Sequence, residues 1–229
     1  MSRPVFVLRP EPGLTTTLVA AFERGLNARG MPLSTVEPVA WSAPAKPYEG
    51  LLIGSANAIR HAGDELAKIA HLPVLAVGET TAQVAREAGL KVEMAGTGGL
   101  QKVLEGLAAD PRSLLRLAGE KHLELELPPQ IEVDTRIVYR ASYRPLNEAQ
   151  AGLLDADAVM LLHSGETAAH FSQECERLGL DTSKLSLVAM VPRIAEMAGK
   201  GWKALHTAAS PTDDAVLELA AELCQNPRA

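Results

Sequence analysis

The sequence predicts an α/β protein of two similar parallel-sheet α/β domains, the middle one inserted into the other and joined to it by a two-stranded β linker. Three observations lead there. Short apolar runs of strand character alternate with helical patterns along the whole chain. A stretch from the middle of the chain recurs near its end. The strand-helix units are also ordered so that the outer half lacks its last unit, and the N-terminal segment can supply it. Strands that alternate with helices call for a parallel sheet covered on both faces.

The elements follow in order. Val5–Leu8 (VFVL) is the first strand, and the helix after it sets Leu14, Leu18, Ala21, Phe22 and Leu26 on one face and is expected to end at Gly30. Ser34–Pro44 (STVEPVAWSAP) holds prolines and no helical period, so it reads as extended. GLLI, ending at Ile53, precedes a helix with Ile59, Ala62, Leu66 and Ile69 on one face. Pro73–Val77 precedes a helix in which Thr80 and Gln83 read as a capping box and Gly89 as the stop. LKVEMA precedes GTGGLQKVLEGLA. Ile131–Tyr143 alternates apolar and polar residues, as a strand half exposed to water does. AVMLL, SLVAMV and KALHTAA each lead into a helical pattern. The last helix is expected to open with Ser210 as cap, Pro211 in the first turn and acids behind it.

The repeat fixes the domain plan. LAVGETTAQVAREAGLKVEMAGT resembles VAMVPRIAEMAGKGWKALHTAAS, with one residue missing in the second copy. The middle half runs through three such units to LLRLAGEKH, whereas the outer half stops after three. VFVLRPEPG resembles LLRLAGEKH and can complete the outer half. The expected outer domain is therefore residues 1–35 plus 145–229, the inserted domain 46–130, and the linker strands 36–45 and 131–144.

Composition narrows the function classes. Of 229 residues, 47% are hydrophobic but only 3% aromatic, so the core is aliphatic. A net charge of −6 with no lysine-arginine block argues against nucleic acid, which selects a basic stripe. Cys175 and Cys224 are far apart, and no CxxC or Cys/His ligand spacing points to a metal. Two reduced thiols fit a cytoplasmic protein. No signal-type segment opens the chain, and no apolar run approaches the roughly 20 residues of a membrane helix. No long exposed apolar helix face stands out, so a monomer is expected. No cofactor motif is found: AGTGGL lacks the Lys-Ser/Thr of a phosphate loop, VGETTA is not GxGxxG, and HSGET lacks the glycine spacing of a nucleophile elbow. His163 and His170 lie seven apart without a carboxylate-metal pattern.

Candidate chemistry sits at the turns that follow the strands. In open parallel sheets, ligands bind at the carboxyl ends of strands, where helix N-termini offer unpaired N–H groups. Small residues there let an anion come close to the backbone. GSAN, GETT, GTGG, HSGET, VPRI and SPTDD all occupy such ends, and two facing domains would ring a cleft with them. For any single turn, plain helix capping is the competing reading. Candidate ligand residues are Ser55, Ala56, Asn57, Gly78, Thr80, Thr81, Ser164 and Gly165, with Arg9 just after the first strand. Tyr139, in a crossing strand, could turn its hydroxyl to the cleft.

RPEPG, YEGLLIGSANAIRH, LPVLAVGETTAQVAREAGLKV, IVYRASY, DAVMLLHSGETAAHF and KALHTAASPTDDAVLELA occur in this order and spacing. Together they resemble the uroporphyrinogen-III synthase family over nearly the whole chain. The resemblance implies a lyase that closes hydroxymethylbilane, a linear tetrapyrrole, into a macrocycle with loss of water and inversion of its last ring, without metal or cofactor. It implies two α/β domains on a two-stranded linker, with the tetrapyrrole in the cleft. It matches the family's linker tyrosine to Tyr139, a candidate general acid, its GxxTA threonine to Thr81 and its strand-end serine to Ser55. The second repeat departs from the family's GPRTA: Val191 and Ile194 remove a glycine and a hydroxyl, so no threonine role transfers there. HSGET also differs from the family's serine-proline-serine turn. The implied partner is the tetrapyrrole, with neither nucleic acid nor membrane, and a transient contact with the preceding pathway enzyme would limit escape of an unstable substrate. Two other classes stay open: a non-catalytic bilobed binder of a small polyanion, and a sugar-phosphate enzyme, which would need an acid-base carboxylate pair at the strand ends that the sequence does not supply.

Overall fold

The structure, a computed structural model, describes residues 3–107 and 111–225. In chain order the first elements are β1 (Val5–Val7), α1 (Gly13–Glu23), β2 (Ala28–Gly30), β3 (Ser34–Pro38) and β4 (Gly50–Ile53). There follow α2 (Ala56–Arg60), α3 (Glu65–Lys68), β5 (Val74–Ala76), α4 (Glu79–Glu87), β6 (Val92–Ala95) and α5 (Leu100–Gly106). Next come β7 (Arg112–Gly119), β8 (Ile131–Tyr143), α6 (Glu148–Leu153), β9 (Ala158–Leu162) and α7 (Gly165–Leu178). The chain closes with β10 (Leu185–Ala189), α8 (Pro192–Ala198), β11 (Ala204–Thr207) and α9 (Asp213–Gln225). It divides into an outer unit, Met1–Thr35 with Ser142–Ala229, and an inner unit, Val36–Ala141.

The outer unit holds a five-stranded sheet ordered β11-β10-β9-β1-β2, every neighbour parallel. Alternation along the strands sorts the core into two layers. Phe6, Met160, Leu162, Leu185 and Leu187 face Ala168 and Phe171 of α7 and Ile194 and Ala198 of α8. Val5, Val7, Val159, Leu161 and Val188 face Leu14 and Ala21 of α1 and Val216, Leu217 and Ala220 of α9. β9 and β10 are buried on both faces, which is why they read as unbroken apolar runs. Arg3 ties the start of β1 to the far end of the chain: it donates to Ser186 Oγ at 2.6 Å and to the Leu223 carbonyl at 3.3 Å, and it pairs with Asp157.

The inner unit holds a six-stranded sheet ordered β3-β8-β7-β4-β5-β6. Leu51, Ile53, Val74, Ala76, Leu115 and Leu117 pack on Ala58 and Ile59 of α2 and Ala82 and Ala85 of α4. Leu52, Leu75 and Leu114 pack on Val103 and Leu104 of α5. The order β8-β7-β4-β5-β6 has the same plan as β2-β1-β9-β10-β11. β1 thus holds in its sheet the place that β7 holds in the other, and the N-terminal strand completes the outer half.

Several local expectations need correction. The linker strand expected at residues 131–144 also belongs to the inner sheet: β8 pairs in parallel with β7 from Arg112↔Ile131 to Gly119↔Tyr139. The other linker is a strand only over Ser34–Pro38, with one further bond from the Val39 amide to the Val138 carbonyl at 2.9 Å. α1 stops at Glu23, well before Gly30, and residues 28–30 form the edge strand β2. Phe22, expected in the core, is 82% exposed. The helical pattern after β4 breaks into α2 and α3 around Gly63, whose φ of 61° suits glycine best. α4 starts at Glu79 with Gly78 as its cap, so Thr80 lies inside the first turn and forms no capping box. α9 starts at Asp213, and Thr212 Oγ1, not Ser210, accepts from an early amide, that of Ala215, at 3.3 Å.

Candidate functional site

A cavity of about 390 Å³ opens within the inner unit, beyond the carboxyl ends of β4, β5 and β7. Gly54 and Ser55 line it from the end of β4, Val77 from the end of β5, and Gly119 from the end of β7. Gly98 and Gly99, at φ 88° and 102°, bring the turn before α5 to its edge in a conformation that glycine alone adopts readily. The segment after β7, Lys121 to Leu125, forms another wall. Side-chain ties hold that segment without secondary structure, among them His122 Nδ1 at 2.8 Å from the Gly119 carbonyl. The Gln101 side chain donates to the Glu126 carbonyl and accepts from its amide, both at 3.0 Å, and the Arg116 guanidinium donates to the Leu123 carbonyl at 2.9 Å. Leu123 presents a 58% exposed side chain beside this polar framework.

Tyr139 enters the cavity from β8. Its ring comes close to the end of β7 because Gly119 has no side chain: a Cβ there would sit 2.6 Å from Tyr139 Cζ and 2.9 Å from its hydroxyl. The His61 ring stands on another side, with centroids 6.3 Å apart. Burial, with the neighbouring Arg60 charge, pushes the His61 imidazole below its ordinary value.

Most of this lining was not named from the sequence, and Arg116 is its most buried charged residue. Its side chain leaves β7 on the same face as Leu114, a face otherwise filled by Leu52, Leu75 and α5, and the residue is only 6% exposed. Burial lowers the pKa of its guanidinium from the ordinary value, and Tyr139 nearby partly offsets this. Nε has no partner among the described residues. Lys121 and His122 add basic groups to the lining and Glu124 an acidic one. Charged side chains thus stand in this lining beside the backbone amides expected at the strand ends. The only signal available was an arginine in the middle of the apolar run LLRLAG.

Of the other inner-unit candidates, Ser55 lines the cavity and also caps α2, accepting from the Asn57 amide at 3.2 Å. Ala56 and Asn57 belong to α2, Ala56 buried at its first position. Gly78 caps α4 in extended conformation, Thr80 is exposed on that helix and Thr81 is buried in it. These five are not part of the cavity lining.

The outer-unit candidates are differently engaged. Arg9 is not a free anion receptor: its Nη1 meets both Asp213 oxygens, at 2.9 and 3.0 Å, and the Thr17 hydroxyl at 3.3 Å. Thr17 also donates to Asp213 at 2.7 Å. Nε2 of His163 lies 3.2 Å from Asp213 Oδ1 without the alignment of a hydrogen bond, and its side chain is 4% exposed. Burial alone would raise the Asp213 carboxyl, but His163, Thr17 and the Arg9 charge outweigh it and hold it at about 2. Burial lowers His163 in turn. This cluster fastens α9 to the ends of β1 and β9. Ser164 caps α7 without a side-chain bond, and Gly165 leaves space that the Met197 sulfur fills. Among the described residues no three of His, Cys, Asp and Glu group as a metal site requires, and no helix is long and apolar enough to cross a membrane.

The family model described as uroporphyrinogen-III synthase HemD matches residues 17–218. No curated protein matches the chain in sequence. The crystal structure of uroporphyrinogen-III synthetase from Helicobacter pylori superposes with a TM-score of 0.66 at 16% identity, covering 97% of this chain and 100% of that one. A mutant uroporphyrinogen III synthase from Thermus thermophilus gives 0.58 at 15% identity, covering 99% and 100%. At such identities the likeness speaks for the fold.

Proposed function

The chain belongs to the uroporphyrinogen-III synthase family, and we propose that the cavity of its inner unit receives part of the substrate. The protein is a lyase of heme biosynthesis: it cyclises hydroxymethylbilane to uroporphyrinogen III with loss of water and inversion of ring D. Family membership over residues 17–218 carries this conclusion and disfavours a non-catalytic polyanion binder.

The chemistry asks for little more than aim and a proton. The terminal hydroxyl leaves as water, which general acid catalysis speeds. The azafulvene so formed is attacked by the substituted carbon of the last pyrrole, and the spiro intermediate fragments and recloses with that ring inverted. Attack by the unsubstituted carbon instead gives the unflipped isomer. Holding one geometry against the other is therefore the main catalytic contribution, and about 1.4 kcal/mol of preference already makes a tenfold difference. Tyr139 supplies the proton to the departing hydroxyl and regains one when the new pyrrole rearomatises. Its position on the cavity wall, with the ring fixed by Gly119 and His61, supports this role. Ser55 and the Gly98–Gly99 turn offer polar contacts, and Leu123 an apolar face for a pyrrole. The volume lies near the lower end of the roughly 300–1,000 Å³ of ligand pockets, room for a portion of a tetrapyrrole.

The setting is cytoplasmic, in keeping with two free cysteines. A transient meeting with the preceding enzyme would shorten the free life of the substrate. The activity is tested by supplying freshly made hydroxymethylbilane, oxidising the products and separating the isomers. Type III product should rise with enzyme amount, and type I alone at every enzyme level would refute the assignment.

A further inference from the structure

Resting on the reading of the inner cavity as a substrate site, we propose that Arg116 is its anchor for an acetate or propionate carboxylate of the tetrapyrrole. Arg116 stands where the strand would otherwise place an apolar residue, between Leu114 and α5, and only 6% of it remains exposed. A cation so placed costs stability unless a partner neutralises it. One guanidinium nitrogen is satisfied by the Leu123 carbonyl at 2.9 Å. Among the described residues Nε has no hydrogen-bond partner, and burial lowers the pKa of the guanidinium, with Tyr139 partly offsetting it. The charge is thus held in place, unpaired, and faces a cavity whose lining also holds four glycines and a serine, with Lys121, His122 and Glu124 on the wall segment. A carboxylate is the ligand that matches: it fits the planar fork of an arginine with two parallel bonds, and each pyrrole of the substrate carries two such groups. The Leu123 bond also couples the site to the wall segment, so the guanidinium is oriented before the ligand arrives.

The test compares wild type with R116L, R116Q and R116K. Turnover of hydroxymethylbilane gives kcat and KM, and fluorescence quenching of uroporphyrin III gives an affinity free of turnover. R116L and R116Q should raise KM and the porphyrin Kd by about tenfold or more while kcat stays within about threefold, the pattern of a lost ground-state contact. R116K should recover part of the affinity, as a charge without the fork. The Tm of R116L should equal or exceed that of wild type, because an unpaired buried charge has been removed. Unchanged KM and Kd in R116Q would overturn the proposal, as would a fall in Tm with unchanged Kd, which would assign Arg116 to holding Leu123 alone. Should R116L not fold, R116Q and R116K decide the matter. Wild type that yields no type III isomer would instead strike the activity itself, whatever the porphyrin affinities show.

Discussion

Gly119→Ala tests whether the Tyr139 ring must lie where it does. The new Cβ would stand 2.6 Å from Cζ, 2.7 Å from Cε2 and 2.9 Å from the hydroxyl oxygen. Carbon atoms rest about 3.5–4.0 Å apart, so the ring must retreat by about 1 Å. It can do so, because Tyr139 is partly exposed and has the cavity on one side. Overpacking usually costs about 1–3 kcal/mol. Here the open side lowers that cost, and replacing glycine in a strand returns roughly 0.5–1 kcal/mol. The net change in stability should stay within about 1 kcal/mol, a few degrees in Tm. The effect on rate should be far larger, since about 1 Å of misplacement can cost on the order of a hundredfold. The assay is kcat for hydroxymethylbilane beside a thermal melt, with Gly106→Ala as control, where a Cβ meets nothing within 4 Å. G119A with the wild-type kcat and an intact fold would refute the argument that this ring is held for catalysis.

Further outcomes follow from named groups. Y139F should lower kcat by about a hundredfold, the lower end for a lost general acid, with an unchanged melt; full turnover by folded Y139F removes Tyr139 as the acid. Asp213, held at about 2 rather than 3.8, contributes up to about 2 kcal/mol of stability. Its folded value is depressed, so that contribution is present above pH 3.8 and is lost as the pH falls towards 2; urea melts should show D213N with a flatter acid limb, and parallel curves would contradict the linkage. His163, also depressed, adds acid sensitivity that begins below its ordinary 6.5. Cys175, fully buried with its thiol pushed up to about 12 by burial, should resist alkylation at pH 8 until the protein unfolds; rapid labelling of native C224S would contradict its environment.

The sequence carried the architecture because apolar runs such as AVMLL and SLVAMV are strands buried on both faces, and because the order of units required β1 to complete the outer sheet. It was less informative where short-range signals compete. Thr80 and Gln83 had the spacing of a capping box, yet Gly78 begins the helix earlier. β2 is three residues long on a sheet edge, too short to show a period. Ser55 and Tyr139, which line the inner cavity, were legible because turn chemistry puts Ser55 just past the end of β4 and the alternating pattern puts Tyr139 in a strand. Arg116 was hidden, since an arginine within an apolar run gives no sign of whether its head reaches water or a cavity. Arg9 misled for the opposite reason: its partner Asp213 is over two hundred residues away in sequence.

The roles proposed for Tyr139 and Arg116 require that the tetrapyrrole dock in the inner cavity. Titrating uroporphyrin III into isotope-labelled protein and following backbone amides by NMR reads this directly. Saturable shifts should be largest at Ser55, Gly98, Gly99 and Gly119. Porphyrin that binds while those four amides stay still, with the shifts gathered elsewhere, would contradict it.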